Sequence, residues 1–142
     1  MKVIVDTNIV FSAIISPKGL QRDTLIRPSK RIEFYSLYYL REEIIEHLPR
    51  LQQISGLSLK EVMESYELVT QHILFFAEDL IPLNIWMQAY DIMKSIDMDD
   101  IPFAAAAIHL KASLWTGDKK ISTFKKRKLP FKTISTAELK IQ

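Results

Sequence analysis

The chain has no cysteine, three glycines and three histidines among its 142 residues. Without cysteine there are no disulfides, thiolate metal sites or thiol nucleophiles, a composition compatible with a reducing cytoplasm, the expected location. The three glycines are scattered, so no glycine-rich loop can cradle a phosphate. His47, His72 and His109 lie far apart, at no metal-ligand spacing, and read as structural or surface residues in helices. No apolar run approaches the ~20 residues of a membrane span, so no membrane partner is expected. The short apolar stretch after Lys2 is too brief for a signal-peptide core.

The rest of the composition is ordinary for a globular protein: 48% hydrophobic and 25% charged. The length is most simply one domain, 1–142, with room for a real core. Net charge is only +2, but its distribution is uneven. Every charged residue from Lys119 to Lys132 is basic. Such a run reads as a solvated face, or as a phosphate-binding edge if an acidic, metal-binding centre lies beside it.

Hydrophobic periodicity predicts alternating strands and helices. Val3-Ile4-Val5 forms a first strand ending on Asp6, and Thr7 to Ile15 a helix that Asp6 or Thr7 can cap. Ser16-Pro17-Lys18-Gly19 is a turn, followed by a helix from Leu20 to Ile26. A second strand runs from Ile32 to Ser36, then a helix from Leu37 to Leu48 that Pro49 ends or kinks. Ser58-Leu59-Lys60-Glu61 is a capping box opening a helix whose apolar stripe continues through Ile73 and Phe76. Asp79 to Leu83 reads as the third strand, and Ile85 to Ile96 as a helix. An alanine-rich helix spans Ile101 to Lys111, a fourth strand Ala112 to Thr116, a short helix Lys119 to Phe124, and a fifth strand Phe131 to Ile134 before a last helix from Thr136. This order argues an α/β fold with a parallel sheet and helices on both faces.

The acids carry the chemistry. Asp6 and Asp118 each follow a strand, and the carboxyl ends of parallel strands are where ligands bind in open sheets. Asp97-Met98-Asp99-Asp100 puts three carboxylates in one turn. Capping explains any one of these aspartates, and Glu42, Glu43 and Glu46 could be exposed helix residues. Together they strain that explanation. Two carboxylates ~4 Å apart repel by about 4 kcal/mol at an effective dielectric near 20, against a total stability of ~5–15 kcal/mol. Such a cluster persists with shared protons or a divalent cation, and all-oxygen donors suit magnesium or manganese. Hard-metal carboxylate sites at phosphate-facing edges hydrolyse phosphodiesters.

At these residues the chain resembles a PIN domain, the nuclease fold of VapC-like toxins in bacterial and archaeal toxin–antitoxin pairs. The resemblance rests on Val3-Ile4-Val5-Asp6-Thr7-Asn8, Leu40-Arg41-Glu42-Glu43-Ile44, Asp97-Met98-Asp99-Asp100-Ile101-Pro102-Phe103 and Leu114-Trp115-Thr116-Gly117-Asp118-Lys119. The Ser16–Gly19 turn and the Asp-x-Asp-Asp spacing look like a branch distinct from the shortest toxins. The resemblance implies a three-layer α/β/α sandwich around a mostly parallel five-stranded sheet. It implies cleavage of single-stranded RNA with one or two Mg2+ or Mn2+ ions, a cognate antitoxin and a homodimer. Carried over, it implies catalytic roles for Asp6, Glu43, Asp100 and Asp118, with Asp97 as a further metal ligand. Glu42 against Glu43, and Asp99 against Asp100, stay open in register. Thr7, Asn8 and Thr116 are candidates for supporting or phosphate contacts, or for caps and turns. Lys119 and Lys120 are candidates for the substrate backbone. Tyr35, Tyr38, Tyr39 and Trp86 could stack on bases, or belong to core or interface.

Other readings are a PIN nuclease of RNA processing without an antitoxin, a PIN module that binds RNA or protein without cutting, and a phosphoryl-binding α/β domain. A neighbouring antitoxin gene separates the first from a toxin. The filled acidic positions disfavour the second. The missing glycine-rich loop, and the lack of a mid-chain strand-end aspartate, disfavour the third.

Overall fold

A computed structural model describes all 142 residues. Strand β1 (Lys2–Val5) is followed by helices α1 (Thr7–Ile15) and α2 (Leu20–Ile26), then β2 (Glu33–Leu37). Helices α3 (Tyr38–Glu46), α4 (Leu48–Ser55) and α5 (Leu59–Thr70) lead to β3 (Ile73–Phe76). Then come α6 (Leu83–Met93), α7 (Ile101–Leu110), β4 (Ser113–Trp115), α8 (Lys119–Ser122), β5 (Thr133–Ile134) and α9 (Thr136–Lys140). All strand pairs are parallel, in the order β3-β2-β1-β4-β5. The expected α/β sandwich with a five-stranded parallel sheet is what the chain forms.

The sheet is built outward from β1, which pairs with β2 on one side and β4 on the other. Val3, Ile4 and Val5 are fully buried, as a strand covered on both faces requires. The chain leaves β1 toward one edge and later returns to its other side. That reversal opens a crevice at the carboxyl ends of β1 and β4, where Asp6 and Thr116 follow. Phe34 of β2 and Trp115 of β4 stack at 5.6 Å, and the Trp115 indole N–H donates to Thr136 Oγ1 at 3.0 Å.

Helix α7 packs on β1, β2 and β4. Ala104, Ala105, Ala106 and Ala107 are all fully buried. Four consecutive small side chains surround this part of the helix, which packs closely on the sheet and on α6, with Phe103 also buried. It ends on Lys111 at φ 54°, the one non-glycine residue in the left-handed region.

Four features differ from expectation. The Val69, Ile73, Phe76 stripe is not helical throughout, because α5 ends at Thr70 and Ile73–Phe76 is the edge strand β3. Asp79 to Leu83 is not a strand. Residues Glu78–Leu80 form a 3₁₀ turn, and α6 starts at Leu83 directly after Pro82. Pro49 does not simply end α3; it lies in the first turn of α4, where its missing N–H needs no partner. His72, expected in a helix, sits in the turn before β3.

Candidate functional site

Four segments deliver carboxylates to one end of the sheet. Asp6 is the N-cap of α1: its Oδ1 accepts from the Ile9 N–H at 3.0 Å, and its side chain is almost fully buried. Ser36 helps to fix it. This serine on β2 is fully buried, and its hydroxyl donates to the Val5 carbonyl at 2.7 Å, one residue before the acid. Glu43 of α3 accepts from the Thr7 hydroxyl at 2.5 Å, joining α3 to the start of α1. Asp97 and Asp118 cap short turns, accepting from the Asp99 N–H at 3.0 Å and the Lys120 N–H at 2.8 Å. The Thr116 hydroxyl accepts from the Asp118 N–H at 2.9 Å and so shapes the turn after β4.

Asp100 behaves differently. It stands at the N-cap position of α7, yet its carboxylate receives no helix N–H, although it is buried. Capping therefore does not account for it. Carboxylate oxygens of Asp97, Asp100 and Asp118 lie within 4.8 Å of one another.

Burial pushes the Asp6 carboxyl up to about 7 from the ordinary 3.8. The bonds from Ile9 and Thr116 oppose this, and the charges of Asp118 and Glu43 add to it. Burial also pushes Asp100 up to about 7, reinforced by the charges of Asp6, Asp97 and Asp118. Glu43 is raised by burial, with the Thr7 bond and His47 pulling the other way. Asp6 and Asp100 therefore hold protons near neutral pH unless a cation replaces them.

These donors fit a hard divalent cation. They are all oxygens, as Mg2+ and Mn2+ prefer. Asp97, Asp100 and Asp118, with oxygens within 4.8 Å of one another, are the residues that would hold it. Asp100, buried without a capping role, supplies the ligand most in need of a countercharge.

A cleft of about 380 Å³ is lined by Asp6, Thr7, Asn8, Glu43, Asp97, Asp99 and Asp100. Asp118 joins it through the aspartate triad. The structure brings Glu43 into the cleft and leaves Glu42 exposed outside it. Asp100 is buried in the cluster, whereas Asp99 is an exposed rim residue. Lys120 Nζ meets Asp97 Oδ2 at 3.3 Å, and Lys119 lies exposed beside it on α8. Of the tyrosines, Tyr39 packs on Phe103 at 5.9 Å, and Tyr38 stacks on Phe75 at 6.3 Å under the Arg41 guanidinium. Tyr35 and Trp86 pack against the core.

The cleft also contains His47, Arg50, Phe11 and Phe103, which no sequence motif marks as part of it. Glu43, His47 and Arg50 follow one another at i, i+4 and i+7, a single helical face that spans the α3–α4 break. That spacing was available in the sequence. The expected break at Pro49 hid it.

The PIN domain family profile matches residues 4–137. No curated protein matches the chain in sequence. In structure the chain is similar to one in the crystal structure of VapBC2 from Rickettsia felis bound to a DNA fragment from their promoter. The TM-score is 0.74 at 13% identity, over 95% of this chain and 98% of that one.

Proposed function

Since the chain belongs to the PIN domain family, we propose that it is a divalent-metal-dependent endoribonuclease that hydrolyses phosphodiester bonds of single-stranded RNA. The observation that carries this reading is the meeting of Asp6, Glu43, Asp97, Asp100 and Asp118, from four separated segments, at the crevice beside β1. Asp6, Asp97, Asp100 and Asp118 would hold the cation. When bound, it supplies countercharge for the transition state and makes the attacking water more acidic. Glu43, held by Thr7 and raised by burial, orients that water and accepts its proton. Lys119 and Lys120 on one side, and Arg50 on the other, carry the positive charge that faces substrate phosphates.

The likeness in fold to a chain of VapBC2 supports a role as the toxin of a toxin–antitoxin pair, with an antitoxin as partner. The same reading includes a single PIN domain over 1–142, a homodimer and a cytoplasmic location. No helix is long and apolar enough to cross a membrane.

The test is cleavage of single-stranded RNA by purified protein. Magnesium or manganese should support cutting, chelator should stop it, and Asp6→Asn should abolish it with the fold intact. Equal cutting by Asp6→Asn and wild type would refute the mechanism. Growth arrest on expression, relieved by a co-expressed neighbouring gene, tests the toxin role.

A further inference from the structure

Seven phenylalanines are present. Phe34, Phe103 and Phe131 are in the core, and Phe11, Phe75 and Phe76 pack against it. Phe124 does neither. It is half-buried two residues past α8, where its N–H donates to the Ile121 carbonyl at 3.2 Å. It lines two open clefts. One, about 620 Å³, also has Lys120, Lys125 and Lys126; the other, about 880 Å³, has Arg127, Lys128 and Lys132.

We propose that Phe124 and the lysines around it form a docking site for an unpaired nucleic-acid base and its flanking phosphates, outside the acidic cleft. The inference rests on the RNA-nuclease reading above and names where that substrate's strand lies. The larger cleft also has Asp91, Ile92, Leu129 and Phe131, but the lysines on both sides of the ring make this a poor hydrophobic protein interface, because interface cores are depleted in lysine. It suits a base stacked on an aromatic face between two phosphates, the recurring design of single-strand binding. Arg127 is not free for this task. Its guanidinium donates to the Asp91 carbonyl at 2.9 Å and to Asp91 Oδ2 at 3.3 Å, which pins the segment to α6. Lys125, Lys126, Lys128 and Lys132 have no ion-pair partner. Lys120 lines the Phe124 cleft and touches Asp97, so the basic track runs into the acidic site.

The experiment is binding of a fluorescent single-stranded oligoadenylate to the full chain in chelator, read by anisotropy, so that no cutting is needed. Phe124→Ala and Phe124→Leu should each weaken binding about tenfold, the usual loss of one base–aromatic stack. Phe124→Trp should retain it. Leucine keeps the apolar bulk without the ring face, so its loss is not explained by a damaged fold. Replacing Lys125 and Lys126 with Gln should flatten the salt dependence by about 1.4 in log–log slope. Equal binding by wild type, Phe124→Ala and Phe124→Leu would overturn the site. So would a polyglutamate peptide that competes as well as the RNA, which would assign the surface to an acidic protein partner. A wild type that binds in this Phe124-dependent way but never cuts with metal would refute the nuclease reading and leave the site standing.

Discussion

Replacing Asp6 with Asn should stabilise the metal-free protein at pH 8, and the effect should vanish in acid. Asp6 is raised from 3.8 to about 7, chiefly by burial. The folded state thus binds the proton more tightly than the unfolded chain. Stability from this group is fully present below about pH 4 and is lost as pH rises through 7. At about 1.4 kcal/mol per pH unit, the loss is about 4 kcal/mol. Asparagine carries no charge, and its carbonyl oxygen can still accept from the Ile9 N–H. Asp6→Asn in chelator should therefore melt about 8–16 °C above wild type at pH 8, and equal to it at pH 4. Magnesium should reverse the ranking by raising the wild type, since ligand-linked stabilisation follows occupancy. Thermal melts across pH 4–8, with chelator and with magnesium, provide the assay. A wild-type melting temperature independent of pH in chelator would refute the reasoning. So would an Asp6→Asn protein no more stable than wild type at pH 8.

Two further outcomes follow from the geometry. Glu43→Gln should lower kcat by 100-fold or more, the scale of a lost general base, while Glu42→Gln, outside the cleft, should leave the cleavage rate within about twofold; RNA cleavage assays on both separate the two glutamates. Lys111→Gly should raise stability by about 0.5–1 kcal/mol by removing the left-handed penalty at the end of α7, readable as a rise of about 1–4 °C in melting temperature.

The parts of the fold legible in the sequence were those set by local chemistry. The apolar run Val3-Ile4-Val5 before Asp6, the capping box at Ser58, and Pro102 in the first turn of α7 each define an element boundary on their own. The edge strand β3 was not legible. Val69, Ile73 and Phe76 fall at helical spacing by coincidence, while the turn between α5 and β3 leaves no glycine or proline signal. The run Leu80-Ile81-Pro82-Leu83 has strand-like composition but tightens into a 3₁₀ turn and a helix start. In the candidate site, strand-end acids could be found because strand ends are local features. Their meeting depends on the sheet order, which no single segment encodes. Ser36 escaped notice for that reason: its hydroxyl matters only because β2 lies beside β1. Phe124 was absorbed into the short helix before it, and nothing local marks it as the ring the core does not use.

The alanine run of α7 sets the tolerances of the acidic cluster. Those four side chains are fully buried in the helix that begins directly after Asp100. Enlarging any one of them by a carbon or two should shift the helix and carry the Asp100 carboxylate at its leading end away from Asp97 and Asp118. Drift at these positions should therefore erase ion retention well before it erases folding.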